Sequence, residues 1–420
     1  MVETIDKSVS APKNIVAKSS GKKLDFAKIS DVNEDQVSTR ISTGIADLDL
    51  VLGGGIMVGG VMLVAGQPGI GKSTLLMQVS AYISRSKKVL YVSGEESAAQ
   101  VKSRAARLLG DEFIKSVNLS LASSTSADDV AETIGAGEFD LVVVDSMQTM
   151  AMADVASAPG TVSQITNSSN VIIRSAKKSD TAVMLVGHVT KDGSIAGPKV
   201  MEHLVDVVLT FEGDRYGGFK MVRAVKNRYG STAEVAIFDM TNEGLKIVDN
   251  PSAALLAERS DSDGSVILAT MEGNRPLLVE IQALVNPTNF GYAKRAASGF
   301  DMNRLTLLTA VLERRTKLKL SDKDIFINVV GGLKLDDRAA DLAICMAIAS
   351  AAAERKIGEG AVVFGEVGLG GEIRSARMSD KRITEAKKLG FNFALAPASV
   401  HNKFAKTATD LRDALNQYLK

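Results

Sequence analysis

Cysteine is almost missing from this chain: Cys345 is the one cysteine among 420 residues. A single cysteine excludes an intrachain disulfide and any metal site that is built from several thiolates. So few thiols are also typical of proteins kept in a reducing compartment. We therefore expect no zinc site and a cytoplasmic location.

Tryptophan is absent, aromatic residues make up 5% of the chain, and the charges nearly cancel to a net +1. No apolar run is long enough to cross a bilayer of about 30 Å, and the amino terminus has no signal-peptide pattern, so a membrane partner is not expected. In a nearly neutral chain, nucleic acid can bind only at local basic clusters. With few aromatic side chains, such binding would rest on phosphate contacts rather than on base stacking.

The length of 420 residues predicts two or three domains at roughly 150 residues each. Residues 1–39 are polar and lack periodicity, which predicts a flexible arm without a zinc finger. Residues 40–250 alternate strand-like and helix-like segments, and residues 251–263 form a polar, turn-rich linker. Residues 264–420 are long enough to carry a core of their own.

Four short apolar runs alternate with helix-like stretches in the first half of the chain. They cover residues 61–65, 89–93, 141–145 and 182–187. Uniformly apolar strands separated by helices predict an α/β fold with a mostly parallel sheet that is covered on both faces. Two closely spaced strand-like runs, 205–213 and 219–227, are expected to add a hairpin at a sheet edge. The mixed strands and helices after residue 264 predict an α+β second domain.

A phosphate-binding motif follows the first apolar run. The sequence from Gly66 to Ser73 fits G-x-x-x-x-G-K-[ST] at every fixed position and precedes a helix-like stretch. In this context backbone N–H groups and a helix amino terminus bind phosphate. We predict that Lys72 contacts the β- and γ-phosphates of ATP and that the Ser73 hydroxyl binds Mg²⁺. The predicted ATP-binding residues are Gly66, Gln67, Pro68, Gly69, Ile70, Gly71, Lys72, Ser73 and Thr74.

Polar side chains end the other apolar runs, where a parallel sheet faces its ligand. Asp145 closes the third run and is predicted to hold Mg²⁺. Glu95 and Glu96 follow the second run, and one of them, with Glu95 preferred, is the expected general base for the attacking water. His188 ends the fourth run, where it either senses the γ-phosphate or has a structural role.

Two cations, Lys226 and Arg228, lie two residues apart in a strand-like segment. Side chains at this spacing share one face of an extended strand, so the pair could clamp a phosphate chain of DNA or of ATP on a neighbouring subunit. Arginine suits the charge that develops on a transferring phosphoryl group. The alternative is a charged strand edge exposed to solvent.

Further motifs extend along most of the chain. One set consists of Thr43–Asp49, Leu52–Gly55, Gly66–Ser73, Tyr91–Ser97 and Val144–Ser146, and in these the chain resembles RecA-superfamily ATPases. A second set consists of Ser157–Gln164, Val186–Thr190, Ile195–Pro198, Phe211–Asp214, Lys226–Gly230, Ala269–Gly273, Arg275–Pro276, Gly331–Gly332 and Phe364–Gly368. In these the chain resembles the bacterial RadA (also called Sms) family, and the resemblance covers about residues 40–400.

The resemblance implies a DNA-dependent ATPase of recombinational repair that forms hexameric rings and drives branch migration on single-stranded or branched DNA. It implies that Lys226 and Arg228 belong to the family's KNRFG motif, with Tyr229 in place of phenylalanine, and act on a neighbouring subunit's ATP or couple it to DNA. Members of the family usually begin with a four-cysteine zinc ribbon that mediates contact with RecA. No cysteine precedes Cys345 here, which argues against the ribbon and against a RecA partnership.

The second domain resembles the proteolytic domain of Lon, in which a serine nucleophile in a Gly-Pro-Ser-Ala-Gly setting works with a lysine base. The corresponding stretch here is Asp337–Asp341, which puts Ala339 at the serine position. The lysine position falls near Asp380, with Lys381 beside it. Since alanine has no nucleophile to activate, we expect no peptidase activity and a role in ring assembly and DNA binding.

Candidate DNA contacts come from the basic clusters and from the resemblance, which implies a DNA-binding loop after His188. They are Lys191, Lys199, Lys226, Asn227, Arg228, Arg304, Arg314 and Arg315. The alternative for each one singly is a solvated surface residue. Two other functions stay open for the whole chain: a non-motor ring ATPase that acts as a timer or scaffold, and an ATP-dependent peptidase.

Overall fold

A computed structural model describes residue 28 and residues 39–188, 198–213, 218–259, 262–288, 292–358 and 360–419. Apart from Lys28 and Thr39, the predicted flexible arm lies outside the described residues. Residues Thr39–Lys420 form one compact unit. The domain boundaries proposed from the sequence stay a prediction.

The first part of this unit alternates strands and helices. In chain order they are β1 (Arg40–Ile41), α1 (Ala46–Leu52), β2 (Ile56–Met57), β3 (Val61–Gly66), α2 (Lys72–Ile83), β4 (Val89–Ser93), α3 (Ala98–Leu109), α4 (Asp111–Lys115), β5 (Leu119–Ser123), α5 (Ala127–Gly135), β6 (Leu141–Asp145), α6 (Val162–Ser179), β7 (Ala182–His188), α7 (Pro198–Leu204), β8 (Val207–Gly213), β9 (Lys220–Asn227), β10 (Val235–Thr241), β11 (Gly244–Ile247) and α8 (Pro251–Leu255).

The second part mixes strands and helices without regular alternation. Its elements are β12 (Ser265–Glu272), β13 (Arg275–Pro287), β14 (Arg295–Ser298), α9 (Met302–Thr316), β15 (Lys323–Val329), α10 (Ala340–Ala353), β16 (Ala361–Val363), β17 (Glu366–Val367), β18 (Ile373–Arg374), α11 (Ser379–Lys388), β19 (Phe393–Pro397), β20 (Ala405–Ala408) and α12 (Leu411–Tyr418).

A nine-stranded sheet in the order β11-β10-β9-β8-β3-β7-β6-β4-β5 organises the first part. The six strands from β8 to β5 are parallel to one another. Side chains alternate along β3: Met62 and Val64 enter a core with α2 and α3, while Leu63 and Ala65 enter one with α5 and α6. Helices therefore cover both faces, which confirms the predicted α/β fold with its mostly parallel sheet.

The predicted hairpin forms, but its expected place at the sheet edge was wrong. β8 and β9 pair antiparallel, and β10 and β11 then extend the sheet beyond them. Neither outer strand was predicted from the sequence. Polar residues such as Asp239, Thr241 and Lys246 interrupt their apolar pattern, so the signal of a buried strand is weak there.

A seven-stranded sheet in the order β14-β15-β13-β12-β16-β19-β20 organises the second part. α10 packs against β12 and β13, and every residue from Ala340 to Ser350 is buried, including Cys345. The apolar segment over residues 361–367 forms two short strands, β16 and β17, rather than one. No helix among the described residues is both long and apolar enough to cross a membrane.

Charged contacts join the two parts within the compact unit. Arg275 Nη1 lies 2.6 Å from Asp47 Oδ2, and Arg223 Nη2 lies 2.9 Å from Glu272 Oε2. Gly273, in the turn between β12 and β13, has φ +56°, and a Cβ there would lie 2.1 Å from the carbonyl oxygen of Ala233. The turn can approach the first sheet this closely because glycine has no side chain.

Candidate active site

The predicted phosphate loop joins β3 to α2, at the carboxyl edge of the parallel strands. Its two inner glycines have positive φ, +76° at Gly69 and +117° at Gly71. A Cβ on Gly71 would also lie 2.7 Å from Met240 Cε. The backbone needs glycine at both positions because other residues rarely adopt this conformation.

Lys72 begins α2, and its side chain lies beneath the loop, with 3% of the residue exposed. Its Nζ donates hydrogen bonds to the carbonyl oxygens of Gly66 and Gln67, both at 2.9 Å, and lies 3.0 Å from His188 Nδ1. The ammonium group is thus held at the loop through contacts with its own backbone. This is the position from which it can reach phosphate oxygens bound by the loop.

The ends of β7, β6 and β4 bring further polar groups to the same edge. His188 pairs in register with Gly66, and its Nε2 lies 3.4 Å from Glu95 Oε1. The Ser146 hydroxyl donates to the same Glu95 oxygen at 2.6 Å. The structure therefore connects Lys72, His188 and Glu95 in one polar chain.

This environment keeps Glu95 ionised. Burial opposes the charged carboxylate, but hydrogen bonds from Ser146 and His188 and the positive charge of Lys72 outweigh it and lower the Glu95 pKa. Glu96, the alternative base, is instead ion-paired with Arg104 of α3. The structure brings Glu95, and not Glu96, to the phosphate loop.

Asp145 lies at the tip of β6 and is 6% exposed. The Tyr91 hydroxyl donates to Asp145 Oδ2 at 2.5 Å, and Arg104 Nη2 lies 3.4 Å from the same hydroxyl. Burial, followed by the charge of Asp145, raises the Tyr91 pKa, so the phenol remains a donor. Tyr91 and Ser146 were not predicted as partners of the site, because their roles come from contacts with residues far away in the chain.

The oxygen donors at this edge suit Mg²⁺. The Ser73 hydroxyl lies in the first turn of α2, and the Asp145 carboxylate lies two strands away in the same sheet. Mg²⁺ prefers oxygen ligands and is usually bound through one or two protein groups together with substrate phosphates. Among the described residues no group of three or more His, Cys, Asp or Glu side chains could form an all-protein metal site.

Lys226 and Arg228 lie at the amino-terminal edge of the parallel strands, whereas the phosphate loop lies at their carboxyl edge. In register, Gly66 pairs with Phe211 and Met62 with Val207, while Val207 pairs with Asn227. Four residues of β3 separate the two levels, about 13 Å along the strand. The structure therefore does not bring these cations to the phosphate loop of their own chain.

Contacts at that edge hold the Lys226–Gly230 motif in place. Lys226 Nζ donates to the carbonyl oxygens of Glu202 and Val205 at the end of α7, at 2.6 and 2.8 Å. Burial and the nearby Arg228 charge lower the Lys226 pKa. Asn227 Nδ2 donates to the Val51 carbonyl oxygen at 3.1 Å, which ties the motif to α1.

The other predicted DNA contacts have different surroundings. Lys191 and the side chain of Lys199 lie outside the described residues. Arg304 is paired with Asp341 through two hydrogen bonds and also donates to the Val367 carbonyl oxygen. Arg314 is exposed, as is Arg315, which donates to the carbonyl oxygen of Leu369 at 3.3 Å. Their roles in DNA binding stay predictions.

Ala339, at the serine position of the Lon resemblance, lies at the start of α10 and is 2% exposed. Lys381 Nζ donates to the Asn274 carbonyl oxygen at 3.2 Å. Arg382 is paired with Asp337 at 2.7 Å. Lys381 is therefore bonded to a backbone carbonyl and Arg382 to a carboxylate, and the side chain at position 339 is a methyl group.

Comparisons with known proteins agree with this arrangement. Residues 28–194 match the model of an AAA domain, and residues 305–400 match that of subunit ChlI of Mg-chelatase. The chain is 48% identical to DNA repair protein RadA of Listeria monocytogenes, over 86% of this chain and 79% of that protein. It is 43% identical to DNA repair protein RadA of Rickettsia bellii, over 97% and 91% of the two chains.

DNA repair protein RadA of Escherichia coli is 44% identical to this chain, over 89% of this chain and 80% of that protein. Identity at this level extends over most of both chains. The structure of this chain has a phosphate loop at the edge of a parallel sheet and a separate mixed sheet. The chain therefore belongs to the RadA family of DNA repair proteins, which are RecA-like ATPases with a Lon-like second domain.

Proposed function

We propose that this chain is a DNA-stimulated ATPase that moves along single-stranded or branched DNA and promotes branch migration, working as a ring, most simply a hexamer. The division of charged groups between two edges of one sheet gives the main support. Lys72, Glu95 and His188 are joined at the carboxyl edge, while Lys226 and Arg228 lie at the other. A neighbouring subunit would supply the second set to the first.

In this proposal the phosphate loop binds the β- and γ-phosphates of ATP through its backbone N–H groups and Lys72. Mg²⁺ bound with ATP would neutralise charge on the phosphates, with Ser73 and Asp145 as its protein contacts. Glu95 accepts a proton from the attacking water, since its carboxylate is ionised at neutral pH. Tyr91 and Ser146 orient the two carboxylates through their hydrogen bonds.

Arg228 of the next subunit would then contact the γ-phosphate as negative charge develops on it. Its side chain is 57% exposed and can extend toward a partner. An arginine in this role typically contributes a factor of 10³ to 10⁵ in turnover. Coupling to DNA would follow because the strand that carries His188 leads directly into the segment proposed to bind DNA, residues 190–199.

The proposal is tested by measuring ATP turnover with and without single-stranded DNA at several salt concentrations. We expect stimulation by DNA that weakens as salt rises, because phosphate contacts release counterions. Lys72→Ala should abolish turnover in every condition, so any turnover that remains in this variant comes from contaminating ATPases. Turnover indifferent to DNA would contradict the motor and would favour the regulatory ring ATPase.

We also propose that the Lon-like domain has no peptidase activity. Ala339 occupies the position at which a Lon-type nucleophile would lie, and it is buried. Incubation with unfolded casein, with and without ATP, should give no cleavage. Cleavage that persists in the Lys72→Ala variant would point to a different nucleophile and overturn this part.

A further inference from the structure

We propose that Asp206 positions the side chain of Arg228, the residue that would contact the γ-phosphate of a neighbouring subunit's ATP. It would hold the guanidinium group at the amino-terminal edge of the first sheet, where a neighbouring subunit's ATP can meet it. This inference rests on the proposed function, since it assumes that Arg228 acts across a subunit boundary.

Asp206 lies between α7 and β8 and is 3% exposed, so its carboxylate needs partners. Oδ1 accepts a hydrogen bond from Arg228 Nη1 at 3.1 Å. Oδ2 accepts from Lys177 Nζ at 2.5 Å and from the Val61 backbone N–H at 3.0 Å. Both oxygens are thus engaged, and Arg228 is bound to one of them.

The backbone of Asp206 also forms hydrogen bonds with the backbones of Arg228 and Val61. Its carbonyl oxygen accepts from the Arg228 N–H at 3.1 Å, and its own N–H donates to the Val61 carbonyl oxygen at 2.9 Å. Burial, followed by the charge of Asp206, raises the pKa of the nearby Tyr229 to about 12. Arg228 is therefore fixed to the sheet through both its main chain and its side chain.

This anchoring matters because Arg228 itself is largely exposed. An exposed ion pair is weak when both partners move, but here the carboxylate is buried and fixed by two other donors, Lys177 and the Val61 N–H. A long arginine side chain that is ordered before the transition state forms contributes more than a free one. Asp206 also binds the first residue of β3, the strand that ends in the phosphate loop.

The first experiment compares Asp206→Asn with Arg228→Ala. We expect Asp206→Asn to lower kcat about tenfold while the Kd for ATP changes less than twofold. The double variant should be no slower than Arg228→Ala alone, since a positioning residue acts only through its target. If the two losses multiply, Asp206 does not act through Arg228 and the inference is wrong.

Asp140→Asn is the matched control, because Asp140 precedes β6 at the same edge of the sheet and pairs with Lys87 at 3.2 Å rather than with Arg228. It should leave kcat within twofold of the wild type even if it lowers the melting temperature. An equal loss of kcat in this variant would mean that loss of any carboxylate at this edge suffices, and would contradict a specific role for Asp206. If Asp206→Asn does not assemble, Asp206→Glu, which keeps the charge but shifts it, should show the same loss of kcat with ATP binding retained.

Mixed rings locate the effect and separate it from the proposed function. Differently tagged Lys72→Ala and Arg228→Ala chains are co-expressed, and rings containing both should regain turnover. The Lys72→Ala chain supplies an intact Arg228, and the Arg228→Ala chain supplies an intact phosphate loop. No recovery would contradict the proposed action across subunits. Rings of Lys72→Ala and Asp206→Asn chains should also regain turnover if Asp206 acts through Arg228. If only the Lys72→Ala and Arg228→Ala rings recover, Asp206 acts on the phosphate loop of its own chain, and only the role of Asp206 is overturned.

Discussion

Glu95 and Glu96 are adjacent in the chain, yet they meet different surroundings. Glu95 accepts from Ser146 and contacts His188, whereas Glu96 is ion-paired with Arg104 on the neighbouring helix α3. A general base must be near the reacting groups and unprotonated, and only Glu95 meets both conditions here. The difference arises at the level of single side chains, because the backbone turns between them.

Glu95→Gln should lower kcat by about 10² to 10⁴ while ATP binding is retained, because the amide cannot accept the proton from water. Glu96→Gln is the matched control and should lower kcat less than tenfold. Turnover and the Kd for ATP are measured on both variants. Equal losses would assign the base to neither residue alone.

At the scale of elements, the Lys226–Gly230 turn packs tightly against the loop after α1. Gly53 has φ +82°, and a Cβ there would lie 2.8 Å from the Tyr229 carbonyl oxygen. Arg40 Nη2 donates to that same oxygen at 3.0 Å. The turn that carries Arg228 therefore depends on a close approach between two backbones.

Gly53→Ala should displace this turn and so lower both the melting temperature and turnover. Gly137→Ala is the matched control, since Gly137 has φ +70° but open space around it. The control should cost about 1 kcal/mol from backbone strain alone and leave turnover unchanged. Similar turnover in the two variants would show that the packing at Gly53 does not support Arg228.

At the scale of the molecule, a partly buried charged cluster joins the two sheets. Arg223 of β9 contacts Glu272 of β12 at 2.9 Å and Glu212 of β8 at 3.2 Å. Burial raises the Glu272 pKa from 4.5 to about 7, and the neighbouring Glu212 adds to the rise against the opposing charge of Arg223. The folded chain therefore keeps a proton on Glu272 that the unfolded chain releases.

This proton makes stability depend on pH. The stabilisation of the folded state by this proton is fully present below about pH 4.5 and is lost as the pH rises through about 7. Over that interval the folded state binds more protons than the unfolded state does. This stabilisation amounts to at most about 3 kcal/mol. Glu272→Gln, which resembles the protonated form, should reduce the fall in the urea midpoint between pH 5 and 8. The exposed Glu243→Gln should not alter that fall, and an equal change in both variants would contradict the role of Glu272.

Local patterns predicted much of this fold. Short sequence periods and fixed motifs predicted the phosphate loop, the four apolar strands and the helix α2 that follows the loop. Tyr91, Ser146 and Asp206 were missed because each gains its role from a residue that lies far away in the chain. β10 and β11 were missed because polar residues interrupt their apolar pattern. Such features depend on tertiary contacts, which a single sequence does not encode locally.

Cys345 lies in the middle of the buried helix α10, with none of its surface exposed. Burial raises the pKa of its thiol above the ordinary value, so little reactive thiolate forms near neutral pH. A cysteine introduced at the surface would therefore be the one thiol of the folded chain open to maleimide dyes. Fluorescent or spin labels can thus be attached to the native sequence background without first removing a native cysteine, and distances within the proposed ring can be measured with them.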